Sequence, residues 1–556
     1  MSMRYFTWIV CLAVLMGSAM ALAEHGEGDG AMVPAPEGYL SPGDVPARLN
    51  ELGQRDGVRI LQIATTPEGQ EVLMVAFAEK DTPGRPAVLI VADPDGDRPG
   101  ATQLAVTLCE HFAAGDSPLT EAATVYVLPV ANPDAAKHAF AGGDAWRGAP
   151  VDEDRDGLVD EDPPEDLNGD GFVLQMRVAD PTGGWLIDEK DHRFVRRAEH
   201  DEGEFGGWRL LREGVDSDSD RLINEDAQGD VKLECNWPHR WREHDTPSGR
   251  FQLSEPETQG LADFMLERPN IALVVVLGSE DNLSKPPEGI DRVDSGSTEP
   301  VKQDAALIKV LADRLLKDVK QKPRSSKHGS GNFADWAYFH FGALVLESAV
   351  WSPPLDPEAE KEGKKDEDSK KKDKAPEEVK LLQWNDKVLG GAGFVPWTPF
   401  EHPELGQVEI GGWKPFVLDN PPASELESLA QSWIAFLDSL SQDLPRLSWE
   451  KAEVRDLGGN TFDARINLVS KGLFPTTIRM GERARRQLRL RIVLELPEDG
   501  QLLIGRPMHS VSRLRGLGDH REFRWVYQLP AGADPARVRV TSQAAGEAEA
   551  VLEVSK

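Results

Sequence analysis

The chain has 556 residues and a formal net charge of −33 at pH 7. That length calls for two or three separately cored domains. The carboxylate excess argues against a nucleic-acid partner, whose phosphates would be repelled, and suits either bound hard cations or a solvated acidic surface.

At the start, Arg4 precedes an apolar run from Trp8 to Met16, and small residues lead to Ala21-Leu22-Ala23. This is the pattern of a cleavable secretory signal over 1–23; a membrane anchor needs roughly 20 apolar residues. Export to the periplasm or the cell exterior is therefore expected, with no membrane span. Beyond it only Cys109 and Cys235 remain, too few for a disulfide framework.

Pro86 to Val91 reads as a strand, Ala92-Asp-Pro-Asp-Gly-Asp-Arg-Pro-Gly-Ala101 as a loop, and the next stretch as a helix with Leu104, Leu108 and Phe112 on one face. A second strand from Val125 to Val130 completes a unit that is normally parallel and right-handed. The runs Ile271 to Leu277 and Gly342 to Leu346 extend the sheet, and Leu426, Leu429, Trp433, Leu437 and Leu440 mark an amphipathic helix. The spacing thus predicts an α/β body over 24–442. Ligands of such sheets bind beyond the carboxyl ends of strands, so Asp93 to Arg98, Asn132 to Asp134 and Gly278 to Asp281 are expected to lie together. Within 355–378, the mixed-charge run from Glu360 to Lys374 has nothing to bury and reads as a disordered insertion. Past Pro445 the period becomes two: Phe462, Ala464, Ile466 and Leu468, then Leu488 to Leu496, then Phe523, Trp525, Tyr527 and Leu529. These predict an all-β sandwich over 446–556.

An acidic insertion over 150–230 carries oxygen side chains on alternate residues. They are Asp152, Asp154, Asp156, Asp160 and Asp162, then Asp166, Asn168 and Asp170, then Asp216, Asp218, Asp220, Asn224 and Asp226. Such spacing, with Gly157 and Gly171 permitting sharp turns, suits calcium, which takes about six to eight oxygen ligands. The match to an EF-hand loop is partial, since Pro163 holds the twelfth position of the first repeat and Arg221 the glycine position of the third. Structural calcium is the expectation, and a solvated acidic loop is the alternative.

Several short motifs stand in a recognisable order: Thr66-Pro-Glu-Gly-Gln70, Pro129-Val-Ala-Asn132-Pro133-Asp134, Leu253-Ser254-Glu255-Pro256-Glu257-Thr258 and Asp335-Trp336-Ala-Tyr338. Together they resemble the zinc metallocarboxypeptidases of the carboxypeptidase A type, in a bacterial branch with an acidic insertion and a C-terminal β-sandwich. The resemblance implies a carboxypeptidase-like α/β/α sandwich with a mixed, largely parallel sheet. It also implies a zinc ion held by His-Gly-x-Glu at one strand end and a His at another, an Asn-Arg pair gripping the substrate carboxylate, a tyrosine and a general-base Glu. At those positions this chain has Asp95 and Arg98, Gly278, Glu234 and Cys235, Lys327 and Ala349, with Glu347 two residues before the last. Only Arg147 matches a substrate-binding arginine.

Arginine keeps its proton in proteins and cannot ligate a cation, and metal-bound water with its pKa lowered to about 7 is the family's nucleophile. Zinc is therefore not expected to bind. A pseudoenzyme is expected, binding a peptide or protein through the altered cleft or the sandwich, or serving a structural role. The alternative is an active metallocarboxypeptidase or other hydrolase with a metal site rebuilt from Asp95, Asp97, Glu280 and Asp281. His239 and His244, five apart, read as surface or capping residues, and Cys235 as a semi-buried thiol.

Overall fold

A computed structural model describes residues 38–82, 84–140, 164–217, 223–224, 231–283, 299–319, 329–355, 376–484 and 489–554. The segment 1–23, the charged run from Glu360 to Lys374, Arg147, Lys327, and Asp152, Asp154, Asp156, Asp160, Asp162, Asp218, Asp220 and Asp226 lie outside these residues.

The central sheet has six strands in the order Val58–Thr65, Glu71–Phe77, Thr124–Leu128, Ala87–Ala92, Ile271–Gly278 and Leu344–Ala349. The last four are parallel and the first two antiparallel, as expected of a mixed sheet. Ala87–Ala92 is buried at every residue, which is why its sequence is a continuous apolar run rather than an alternation. Pro99–Ala113 follows as a helix, opened by a proline whose missing N–H costs nothing in a first turn. It packs against helix Ala423–Ser439, which packs in turn against helix Glu299–Val319 and so lies in contact with both. Helix Ala423–Ser439 buries Leu429, Trp433, Phe436 and Leu437. Helix Pro256–Leu266 lies against the outer strand Val58–Thr65.

Two expectations need correction. The strand expected from Gly342 begins at Leu344, because Ala337–Phe341 forms a π-helical turn that Gly342 ends in a left-handed conformation, φ +85°. The region read as an acidic insertion also holds strands Gln175–Ala179, Trp185–Ile187, Val195–Arg197 and Trp208–Arg212. These join the hairpin Phe394–His402 and Gly406–Trp413 in a second, antiparallel six-stranded sheet. Its small core is Leu174, Met176, Val178, Val408 and Ile410.

The C-terminal part forms two antiparallel four-stranded sheets. One contains Arg446–Gly458, Thr461–Lys471, Asp519–Gln528 and Gln501–Ile504; the other Met508–Val511, Leu490–Glu495, Arg537–Thr541 and Glu547–Val551. Alternating residues, among them Ala464, Ile466, Leu468, Phe523, Trp525 and Tyr527, supply their shared core. Helix Arg479–Ala484 joins them to the body: Asp304 accepts from the Arg479 and Met480 N–H groups, both at 2.9 Å.

Candidate functional site

The carboxyl ends of the parallel strands carry the residues that the sequence brings to one edge. Asp93 closes the strand-to-helix loop from a left-handed backbone, φ +53°, which Asp tolerates better than most residues. It is 1% exposed, and its carboxylate accepts from the Arg98 N–H at 2.9 Å and the Thr102 hydroxyl at 3.1 Å, so it secures the start of the helix. Burial, helped by the negative charge of Asp97, pushes its carboxyl up to about 7. Gly96, φ +79°, cannot be replaced, since a Cβ there would lie 2.3 Å from that of Ala135. The start of helix Pro133–Phe140 is thereby packed against the loop, while Asp134 accepts from Thr66 at 2.6 Å and the Glu68 N–H at 3.1 Å.

At the three positions assigned to zinc ligands, the donor set does not fit zinc. Asp95 accepts from the Ser279 hydroxyl at 2.7 Å. The Arg98 guanidinium lies 3.0 Å from Asp419 and 3.5 Å from Asp97, and a guanidinium has no lone pair to offer a metal. Burial pushes the Asp97 carboxyl up to about 6 while Arg98 opposes the shift. Gly278 offers no ligand atom, although a Cβ there would only touch Pro94 at 3.5 Å, so the backbone leaves room for a side chain. The alternative set Asp95, Asp97, Glu280 and Asp281 fares no better: among the described residues no group of three His, Cys, Asp or Glu is arranged to hold a metal ion.

Ala349 pairs in register with Gly278, so the positions that the resemblance assigns to the general base and to the third ligand adjoin. Glu347, on the same face of that strand, is 3% exposed, and its backbone exchanges hydrogen bonds of 3.0 and 3.1 Å with Asn282. Glu234 is drawn inward. Its Oε2 accepts from Asn332 Nδ2 at 2.6 Å and the Phe333 N–H at 3.2 Å, at the start of the short helix Phe333–Trp336. Burial first, then the charges of Asp95 and Glu347, raise its carboxyl well above the ordinary range. Cys235 is half-buried, and burial pushes its thiol up to about 11, which disfavours the thiolate there. Asn236 ties this segment to the Ser254–Thr258 motif through Ser254 Oγ at 2.8 Å and Thr258 Oγ1 at 2.7 Å.

His239 is not a surface residue as expected. It is 1% exposed, stacks on Phe339 with centroids 4.5 Å apart, and places Nδ1 3.2 Å from His340 Nε2. The loop bearing it is also tied to the segment before helix Phe333–Trp336, where the Gly331 N–H donates to its carbonyl at 2.8 Å. His244 is exposed as expected.

Of the acidic repeat, Asp166, Asn168 and Asp170 form a compact turn. Asp166 accepts from the N–H groups of Gly169 and Gly171 at 2.8 Å, and the buried Glu213 accepts from those of Leu167 at 3.0 Å and Leu174 at 2.9 Å. Asn224 donates to the Arg212 carbonyl at 3.0 Å, and the Asp216 N–H donates to Glu404 at 3.2 Å. The sequence places Ser279 beside Asp95, within the 278–281 segment, whereas it carries no sign of Asn332 and Asp419, whose partners lie 98 and 321 positions away in the chain (419 − 98 for the last). No local pattern marks such pairs.

Comparison with known proteins places this architecture. No curated relative matches the chain. Residues 446–553 match a domain family of unknown function. Among solved structures, bovine thrombin-activatable fibrinolysis inhibitor, in complex with tick carboxypeptidase inhibitor, is similar at 10% identity over 72% of this chain and 96% of its own, TM-score 0.37. Carboxypeptidase A from Helicoverpa armigera aligns at 15% identity over 56% and 64%, TM-score 0.35. A metallo-carboxypeptidase from Pseudomonas aeruginosa aligns at 14% over 71% and 68%, TM-score 0.30. The family model described as zinc carboxypeptidase matches residues 48–350, more than half of the 556 residues, and the chain therefore belongs to the zinc carboxypeptidase family.

Proposed function

We propose that this chain is a family member without the family's hydrolytic chemistry, an exported binding protein whose altered cleft receives a peptide, a protein or another ligand. The observation that carries the reading is Arg98, a guanidinium held between Asp419 and Asp97 at a position assigned to a zinc ligand. A cation brought there would meet a positive charge that no proton loss can remove. The missing side chain at Gly278 and the methyl of Ala349 support the same reading, because they leave neither a third ligand nor a general base. On this reading the peptidase-like body spans 24–442 and the β-sandwich 446–556, the latter covering the body or contacting a partner. Calcium is the structural ion proposed for the acidic repeats around Asp166–Asp170, where a turn is already closed by backbone N–H groups on Asp166.

The test combines elemental analysis of the purified chain, dialysed against mixed zinc and calcium, with a panel of peptide and amide substrates. Calcium without zinc and no turnover with any divalent metal is the expected result. Stoichiometric zinc with peptide hydrolysis would overturn the proposal.

A further inference from the structure

The two sheets of the C-terminal sandwich have four edges between them, and the edges are not alike. On one side, Arg446–Gly458 and Glu547–Val551 lie against each other. The first carries Glu450, Lys451, Glu453, Arg455 and Asp456 with two register shifts, and the second carries Glu547 and Glu549 at exposed positions. Charges and bulges of this kind keep the unpaired backbone groups of an edge from templating another strand. On the other side, Gln501–Ile504 pairs with Asp519–Gln528 alone among the described residues, and Met508–Val511 with Leu490–Glu495 alone. Gly505-Arg506-Pro507 crosses between these two edges, held by the Trp525 indole N–H on the Arg506 carbonyl and the Leu494 N–H on the Pro507 carbonyl, both at 2.8 Å. From 501 to 505 there is no charged residue. Leu503 is 48% exposed, Ile504 58% and Met508 53%. Leu503 is the extra residue between the pairs Leu502 with Tyr527 and Ile504 with Val526, a bulge that adds an apolar side chain to the edge rather than a charge.

The residues around this edge select what would cover it. Asp499-Gly-Gln-Leu-Leu-Ile-Gly-Arg506 places an acid and a base at equal distances from its midpoint, with a glycine inside each. Antiparallel pairing of two copies about a two-fold axis between Leu502 and Leu503 sets Gln501 opposite Ile504 and Asp499 opposite Arg506, each contact made twice by symmetry. Opposite charges facing across a strand pair stabilise it, and like charges oppose it. Asp499 and Arg506 are both exposed. Over residues 446–556, 19 Lys and Arg stand against 14 Asp and Glu, so the part that meets its copy is not negative although the whole chain is. We propose that the Gln501–Ile504 edge pairs with the same edge of a second copy of this chain, joining two four-stranded sheets into one continuous sheet. This names a second copy as the partner of the sandwich, and it does not depend on the loss of zinc chemistry in the cleft.

Sedimentation velocity on the purified chain tests it, at an ionic strength of about 0.15 M, where repulsion between the acidic bodies is screened beyond about 8 Å. Two four-residue strands cover little area, so a monomer–dimer equilibrium with a dissociation constant on the order of 10 µM is expected in a series from about 1 to 200 µM. I504K, which installs the kind of charge that guards the other edges, and R506E and D499K, which set like charges across the axis, should each weaken association at least about tenfold. An equimolar mixture of R506E and D499K should regain it, because every contact across the axis of the mixed pair again joins opposite charges. Circular dichroism checks each variant for an intact fold. A readout that needs no variant is amide hydrogen exchange in the parent, which should slow at 501–504 as concentration rises through the transition. A parent monomeric throughout, folded variants that associate as the parent does, a mixture that stays monomeric, or exchange at 501–504 indifferent to concentration would each overturn the proposal. A monomeric chain that takes no zinc and hydrolyses nothing sinks this inference alone. Zinc with hydrolysis sinks the cleft reading and leaves this one standing.

Discussion

Asp304→Ala should detach the C-terminal sheets from the body more than any single apolar truncation at that interface. Asp304 sits on helix Glu299–Val319 at 3% exposure. It accepts from the N–H groups of Arg479 and Met480, both at 2.9 Å, and from the Tyr338 hydroxyl at 3.1 Å, joining three separate segments. Hydrogen bonds to a charged group contribute about 1.5–3 kcal/mol each, which sets a ceiling of about 4–9 kcal/mol for the three. Burial opposes this, since it raises the Asp304 carboxyl above its ordinary range. After that offset, a loss of about 2–4 kcal/mol is expected, within the range for breaking a buried hydrogen-bond network. At about 2–4 °C per kcal/mol for domains of this size, the affected transition should fall by about 4–16 °C in scanning calorimetry. Asp304→Asn, which keeps one acceptor, should lose roughly half as much. If the alanine variant melts within about 1 °C of the parent, the carboxylate does not hold the interface and the reasoning fails.

At the same junction, a Cβ on Gly481 would lie 2.6 Å from the Gly342 carbonyl oxygen, so Gly481→Ala should cost about 1–3 kcal/mol in urea unfolding; an unchanged midpoint would refute the close packing. The pH dependence follows from the buried carboxyls of Asp93 and Glu257, raised to about 7, and Asp97 and Glu213, raised to about 6. Because the folded pKa lies above the unfolded one, the folded state binds more protons. Its advantage is complete below the unfolded carboxylate range and disappears as pH rises through 6 and 7. Urea midpoints should therefore fall between pH 5 and pH 8, and a rise would contradict the assignment. The triple variant D95H/R98E/G278H should take up zinc in elemental analysis where the parent does not, since the backbone leaves room at Gly278; failure to do so would mean that other residues also block the site. Asp166→Ala should lower calcium content and destabilise the 166–171 turn by about 1–2 kcal/mol, the scale of losing a side chain that caps backbone N–H groups. Calcium retained in full would place the ion elsewhere.

Much of the fold was readable because burial leaves a local imprint. Ala87–Ala92 and Ile271–Gly278 are continuous apolar runs because parallel strands are covered on both faces, and Ala464, Ile466 and Leu468 alternate because their sheet has one dry face. The second six-stranded sheet left no such imprint. Its strands from 175 to 212 run three to five residues, and Met176 meets its partner Ile410 more than two hundred positions away.

The site divides along the same line. Residue identity alone says that Asp95, Arg98 and Gly278 stand where the resemblance would put zinc ligands, and that no proton loss can make an arginine a ligand. Only the tertiary structure decided what each polar group in that loop does: Asp93 secures a helix, Asp95 meets Ser279, and Arg98 turns to Asp419. It also decided that Glu234 and Glu257 line one recess with buried, unsatisfied oxygens. Periodicity reports how much of a residue is buried, whereas its partners are set by contacts between segments far apart in the chain, and such contacts have no local signature.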